Sequence, residues 1–98
     1  MDENTIRQAA EAHGLAVREG DIDHIKADLI PDLHVHIPGI ADVVPSPLES
    51  TRVEAVEVFD GYAESIVAYL SPAKTLRMKS RWEDRGAGRP QIVESVPV

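Results

Sequence analysis

Apolar residues in the first third of the chain recur at helical spacing. Ile6, Ala9, Ala10, His13, Ala16 and Val17 fall on one helical face, with Arg7, Gln8, Glu11 and Arg18 off it. Thr5 followed by Gln8 fits a capping box, with Asn4 as the other candidate cap. Gly20 suits the C-terminal stop. Asp21 can cap a second, shorter helix carrying Ile22, Ile25 and Leu29, which Pro31 ends.

The period then changes. "DLHVHIP", Asp32 to Pro38, alternates, so the pattern predicts a lone strand with Leu33, Val35 and Ile37 on one face and Asp32, His34 and His36 on the other. "PGIADVVPSPLES" reads as a loop, because three prolines and a glycine break any regular element. Beyond it, "RVEAVEVFDGYAESIVAYL" alternates around Asp60-Gly61, a favoured hairpin pair. "TLRMKSRWED" and "PQIVESVPV" supply the last two strands. Two helices, a lone strand and a four-stranded meander predict an α+β fold with the helices on one face of a mostly antiparallel sheet.

Turn lengths predict the registers. Phe59 pairs with Tyr62, Val58 faces Ala63, Val56 faces Ser65 and Glu54 faces Val67. Across the next turn Tyr69 pairs with Leu76, Val67 with Met78, Ser65 with Ser80 and Ala63 with Trp82. In the last pair Trp82 faces Ile92, Ser80 faces Glu94 and Met78 faces Val96. These registers gather the apolar side chains on one face and place Arg77, Lys79, Arg81 and Glu64 on the other.

Composition narrows the function. A chain of 98 residues buries roughly 60–65% of its unfolded surface in one core, which predicts a single domain over residues 1–98. A net charge of −7 argues against nucleic acid and anionic membranes as partners. The chain has no cysteine, so disulfides, thiolate nucleophiles and thiolate metal sites are excluded. "MDENTIRQAAE" lacks the apolar run of a signal peptide, and no apolar stretch nears the ~20 residues of a membrane span. The expectation is a cytoplasmic protein.

The order of elements, with "AVREGDIDHIKADLIPDLHVHIPG" and "RWEDRGAGRPQIVE" as the carrying residues, resembles the nuclear-transport-factor-two-like superfamily, and within it the SnoaL-like proteins. The resemblance implies a curved sheet wrapped round the helices into a cone, often as a dimer. In that family the cone's cavity serves isomerases, cyclases and dehydratases, and also non-enzymatic binding or assembly modules. Members place a further helix between the first strand and the meander. Here the Pro-rich loop stands in that interval, which implies a shallow or filled pocket. The acid–base residues of no one enzyme subfamily map onto this chain.

His34 and His36 have the spacing of same-face strand ligands, but a metal site needs a third ligand that the sequence does not identify. A polar rim accounts for them, and no metal or cofactor is implied. His13 is the one strongly polar residue within the first helix's apolar stripe, with Gly14 beside it permitting close backbone approach. A core histidine satisfied by one hydrogen bond accounts for that placement. A cavity-facing acid, base or ligand anchor also does. Glu94 alternates with Ile92 and Val96 and by pattern points inward, aligned with Ser65 and Ser80 in a polar stripe. Ordered water alone would satisfy that stripe.

These placements make His13 and Glu94 the candidate acid–base pair. His13, Ser65, Tyr69, Met78, Ser80, Trp82 and Glu94 are the candidate ligand-binding residues. Neither Ser65 nor Ser80 sits in a nucleophile elbow, and "RGAGRP" is too short for a phosphate loop. Val53, Ala55, Phe59, Tyr62, Ile66 and Ala68 make the outer face unusually apolar, so a homodimer through that face is expected. Three functions fit: binding of a small, mostly apolar ligand, proton transfer by His13 and Glu94, or assembly around a filled core.

Overall fold

The first helix forms where its stripe of apolar residues predicts, although a different residue caps it. In the computed structural model, which describes residues 1–98, α1 runs Glu3–Glu19, and the Asp2 carboxylate accepts the Thr5 N–H at 2.8 Å. Gly20 closes the helix with φ 69°, a left-handed conformation that disfavours any residue with a Cβ. Asp21 caps α2, Ile22–Asp28, by accepting the His24 N–H at 3.1 Å.

The lone strand expected at Asp32–Pro38 is not formed. Pro31–His36 is a 3-10 helix and Ile37–Val43 is α3. Two features explain the difference. Leu33, Ile37, Ile40, Ala41 and Val44 form a helical stripe that overrides the short alternation. The segment's contact with the sheet also stops early, at a parallel bridge between Leu29 and Ile92 with a hydrogen bond from Ile30 N–H to the Ile92 carbonyl. The His34 Nε2–H then donates to the Lys26 and Leu29 carbonyls at 2.8 and 3.2 Å. This folds the chain back onto the C-terminal end of α2, where the Lys26 carbonyl also accepts the Leu29 N–H at 3.2 Å. The helix expected to be missing is therefore present, as α3.

Four strands, β1 (Ser50–Val58), β2 (Ala63–Leu70), β3 (Thr75–Glu83) and β4 (Gln91–Pro97), form one antiparallel meander in sequence order. The β2–β3 register is as predicted throughout, with Val67 opposite Met78, Ser65 opposite Ser80 and Ala63 opposite Trp82. The first hairpin also begins as predicted, with Val58 opposite Ala63 and Val56 opposite Ser65.

Two bulges change the rest. In β1 the register shifts between Val53 and Ala55, so Val53 and not Glu54 opposes Val67. Val53 packs against the core, and Glu54 joins Arg52 and Arg77 outside. In β4 the shift falls between the partners of Arg81 and Trp82. Ile92 opposes Trp82, but Glu94 opposes Arg81, Ser95 opposes Ser80 and Pro97 opposes Met78. An extra residue in one strand turns every later side chain to the other face.

The core lies between α1 and one face of the sheet. Trp82, Ile6 and Ile92 are fully buried, with Ala10, Leu29, Val67 and Met78 around them. Gly14 lets α1 approach the sheet: a Cβ there would stand 3.0 Å from Thr51 Oγ1 and 3.2 Å from Thr51 Cβ.

Candidate functional site

At the open side of the core the three helices leave a cavity of about 190 Å³ against the sheet. α1 contributes His13 and Val17, α2 and its cap Ile22, Ile25 and Leu29, and α3 with the residue after it Ile37, Ile40, Ala41 and Val44. The sheet contributes Tyr69, Met78 and Ser95. Ten of the 13 lining residues are hydrophobic, so the space takes apolar matter with few polar contacts. The shallow or filled pocket expected from a missing helix is thus corrected, because α3 supplies one wall.

Three of the seven expected ligand-binding residues, His13, Tyr69 and Met78, reach this cavity. Ser65, Ser80 and Trp82 lie behind its wall. The Trp82 Nε1–H donates to Ser65 Oγ at 3.0 Å, which satisfies both groups inside the core. Ser80 Oγ pairs with Ser95 Oγ at 3.0 Å, and Ser95 occupies the inward position expected of Glu94. Glu94 itself is exposed on the outer side of β4, opposite Arg81. The physical reason is economy: an inward carboxylate on this apolar face would lose its hydration with no cation to replace it. The bulge turns it out.

The carboxylate that does meet His13 is Asp28, at the end of α2. Asp28 is 3% exposed, and its Oδ2 lies 2.8 Å from His13 Nδ1 and 3.2 Å from His24 Nε2. Its Oδ1 lies 3.3 Å from an Arg89 guanidinium nitrogen in the β3–β4 turn. Both oxygens of the buried carboxylate thus have a side-chain nitrogen within ion-pair distance. Sequence reasoning passed over Asp28. The available signal was its position, three residues after Ile25 and next to Leu29, which puts it on the stripe that α2 buries.

His13 stands between this carboxylate and the core. Its ring meets Trp82 edge-on, with centroids 6.3 Å apart and planes at 89°. Its Nε2 has no protein partner, and no buried polar side-chain atom is left unpaired. In a side chain that lines the cavity, that atom is therefore accessible. The same reasoning applies to the Tyr69 hydroxyl, which also has no protein partner. Burial pushes the Tyr69 phenol up to about 12, with the Asp28 charge adding to the effect, so it is a neutral donor at ordinary pH.

His34 and His36 do not share a strand face. His34 caps α2 through its ring, and His36 is exposed at the start of α3. No group of three His, Cys, Asp or Glu side chains is placed to hold a metal. No helix is long and apolar enough to cross a membrane.

No protein-family model matches the sequence, and no curated protein does. Solved structures do. A SEC-C motif containing protein from Rhodopseudomonas palustris aligns at TM-score 0.67 and 15% identity, over 92% of this chain and 76% of that one. An NTF-2 like protein of unknown function from Burkholderia xenovorans aligns at TM-score 0.60 and 17% identity, over 98% of this chain and 83% of that one. The α+β arrangement of three helices on a four-stranded antiparallel sheet is therefore the nuclear-transport-factor-two-like fold.

Proposed function

We propose that this protein, a small member of the SnoaL-like kind, binds a small, mostly apolar molecule between its three helices and the inner face of the sheet. The apolar cavity of about 190 Å³ carries this reading. Apolar cavities of about 150 Å³ take up benzene, so the expected ligand is one ring with modest substitution. Toluene titrated into the protein should shift the Met78 methyl resonance and those of Ile37 and Ile40 while leaving Phe59 unmoved. Absence of any cavity shift up to the solubility limit of toluene overturns the reading.

A second reading is favoured by the His13–Asp28 pair: proton transfer, with His13 as base, Asp28 orienting it and Tyr69 donating to the substrate oxygen. Asp28 takes the place of Glu94 in this reading. Deuterium uptake by the α-carbon of cyclohexanone in heavy water, lost in a His13→Phe variant that still folds, would support it. Uptake equal to the protein-free rate would exclude it.

We further propose that the outer sheet face pairs with a second copy of this chain. Phe59 stacks on Tyr62 with centroids 4.7 Å apart, the Arg81 guanidinium lies 3.8 Å from the Tyr62 ring centroid, and Ile66 is half-buried nearby. Val53 and Ala68 leave the apolar set expected there. Val53 turns into the core, and Ala68 is buried between Arg52 and Arg77, which Glu54 joins. Both signs of charge alternate on this face, which suits a two-fold contact of the surface with itself. Sedimentation at micromolar concentration should give a dimer that Tyr62→Glu dissociates, and a wild-type monomer overturns the proposal.

A further inference from the structure

We infer that the cavity selects ligands bearing a hydroxyl group, because the protein holds neutral His13 as the Nδ1–H tautomer and presents a bare Nε2 to the bound molecule. The inference rests on the ligand-binding reading above and specifies its chemistry. A neutral imidazole carries one proton, and its partner decides where that proton sits. Here the partner of Nδ1 is Asp28, 2.8 Å away, a group that can only accept when ionised. An Arg89 guanidinium nitrogen lies 3.3 Å from Oδ1 and His24 Nε2 lies 3.2 Å from Oδ2, within ion-pair distance of that carboxylate although the residue is 3% exposed. In the neutral ring Nδ1 must therefore donate, and Nε2 is left as an acceptor.

Nothing in the protein satisfies that acceptor. It has no hydrogen-bond partner, the Tyr69 hydroxyl does not reach it, and ten of the 13 residues around the cavity are hydrophobic. A ligand that drives water out while offering no donor leaves Nε2 unpaired in an apolar space. A hydroxyl donates to it. A carbonyl cannot, whatever it accepts from Tyr69. The discrimination arises from a residue outside the cavity lining, since Asp28 is not among the lining residues.

Two measurements test this. In a protein labelled with 15N at histidine, His13, assigned by comparison with a His13→Gln variant, should carry its proton on Nδ1 once neutral. A proton on Nε2 overturns the inference without any ligand. Cyclohexanol, cyclohexanone and methylcyclohexane, matched in size, should then be titrated into the wild-type protein. Cyclohexanol should bind about tenfold more tightly than cyclohexanone, the worth of one satisfied acceptor.

Asp28→Asn supplies the sharper contrast. With Arg89 donating to the amide oxygen, the amide NH2 takes the place of Oδ2 and donates to Nδ1. The His13 proton then moves to Nε2, and cyclohexanone should gain until the tenfold preference disappears. If cyclohexanone equals or exceeds cyclohexanol in the wild type, the tautomer inference fails while the binding reading survives. If none of the three compounds binds, the binding reading fails and takes the inference with it. Should the Asn variant not fold, the labelled-histidine result and the wild-type preference decide the matter.

Discussion

His13 and Asp28 meet across the antiparallel pair α1–α2, with Nδ1 2.8 Å from Oδ2, although 15 positions separate them in the chain. Gly20 and Asp21 make this possible. The left-handed Gly20 ends α1 about two turns beyond His13, and the Asp21 cap starts α2 at once, so the seven residues of α2 bring Asp28 back beside the histidine. The pair then serves two ends: it gives a buried carboxylate a partner and it orients the His13 ring, whose Nε2 has no protein partner.

Removing the carboxylate should cost stability as well as tautomer control. Asp28→Ala leaves His13, His24 and Arg89 without their shared acceptor. Breaking a buried pair from one side costs about 3–5 kcal/mol. His24 and Arg89 are half exposed and can be rehydrated, so the loss should lie nearer 2 kcal/mol than 5. Glu94→Gln, on the exposed outer side, should stay within about 0.5 kcal/mol of wild type. Urea unfolding of the two variants would check the contrast, and equal losses would contradict this placement of the two carboxylates.

Tyr69 sets an alkaline limit. Its phenol is pushed up to about 12 in the folded protein, chiefly by burial, against an ordinary value near 10. Below pH 10 both states hold the proton and the full stability is present. Between about pH 10 and 12 the unfolded chain loses its proton first, so stability falls as pH rises. Absorbance titration should resolve Tyr69 near 12, and Asp28→Asn should move it back toward 10 by removing the neighbouring charge. An unmoved Tyr69 in that variant would mean that burial alone sets its value.

Glu54 works at the acid end. Hydrogen bonds from Arg77 and then Arg52 hold its carboxyl below the usual range. Its contribution is therefore present above the ordinary carboxyl value and is lost as pH falls through the lowered one. Glu54→Gln should flatten the acid side of the stability profile below about pH 4.5 and leave the alkaline side unchanged. The group is solvent-exposed, so added salt should shrink the difference.

Gly14→Ala should destabilise despite the better helix former. A Cβ would stand 3.0 and 3.2 Å from Thr51 Oγ1 and Cβ, with Val67 Cγ1 at 3.5 Å behind. Overpacking typically costs about 1–3 kcal/mol, against about 1 kcal/mol gained in helix propensity. The net expectation is a loss of about 1 kcal/mol, restored by a second substitution, Thr51→Ala. A stabilised single variant would mean that α1 can move off the sheet without cost.

Local rules were enough for most of the scaffold. The stripe of Ile6, Ala10 and Val17, the glycine stop at Gly20, the cap at Asp21 and the two-sided alternation of β2 and β3 each follow from neighbours within a few residues, and all are present in the fold. Two-residue and four-residue turns carry register reliably only until an extra residue enters a strand. The bulges at Glu54 and in β4 occur because two long-range demands outweighed the simple pairing: Val53 packs against the core, and Glu94 stays in water. Nothing local announces such a choice. The segment after Pro31 was ambiguous, since its alternation and its helical stripe share Leu33 and Ile37, and the longer stripe together with the lack of a partner strand decided for the helix. The candidate site depended most on tertiary structure. His13 was legible as a polar interruption in an apolar stripe, but its partner was not, because a buried carboxylate is set by what surrounds it in space. Asp28 lies near Glu94's expected role only because α2 folds back along α1 and the β3–β4 turn brings Arg89 to its other oxygen.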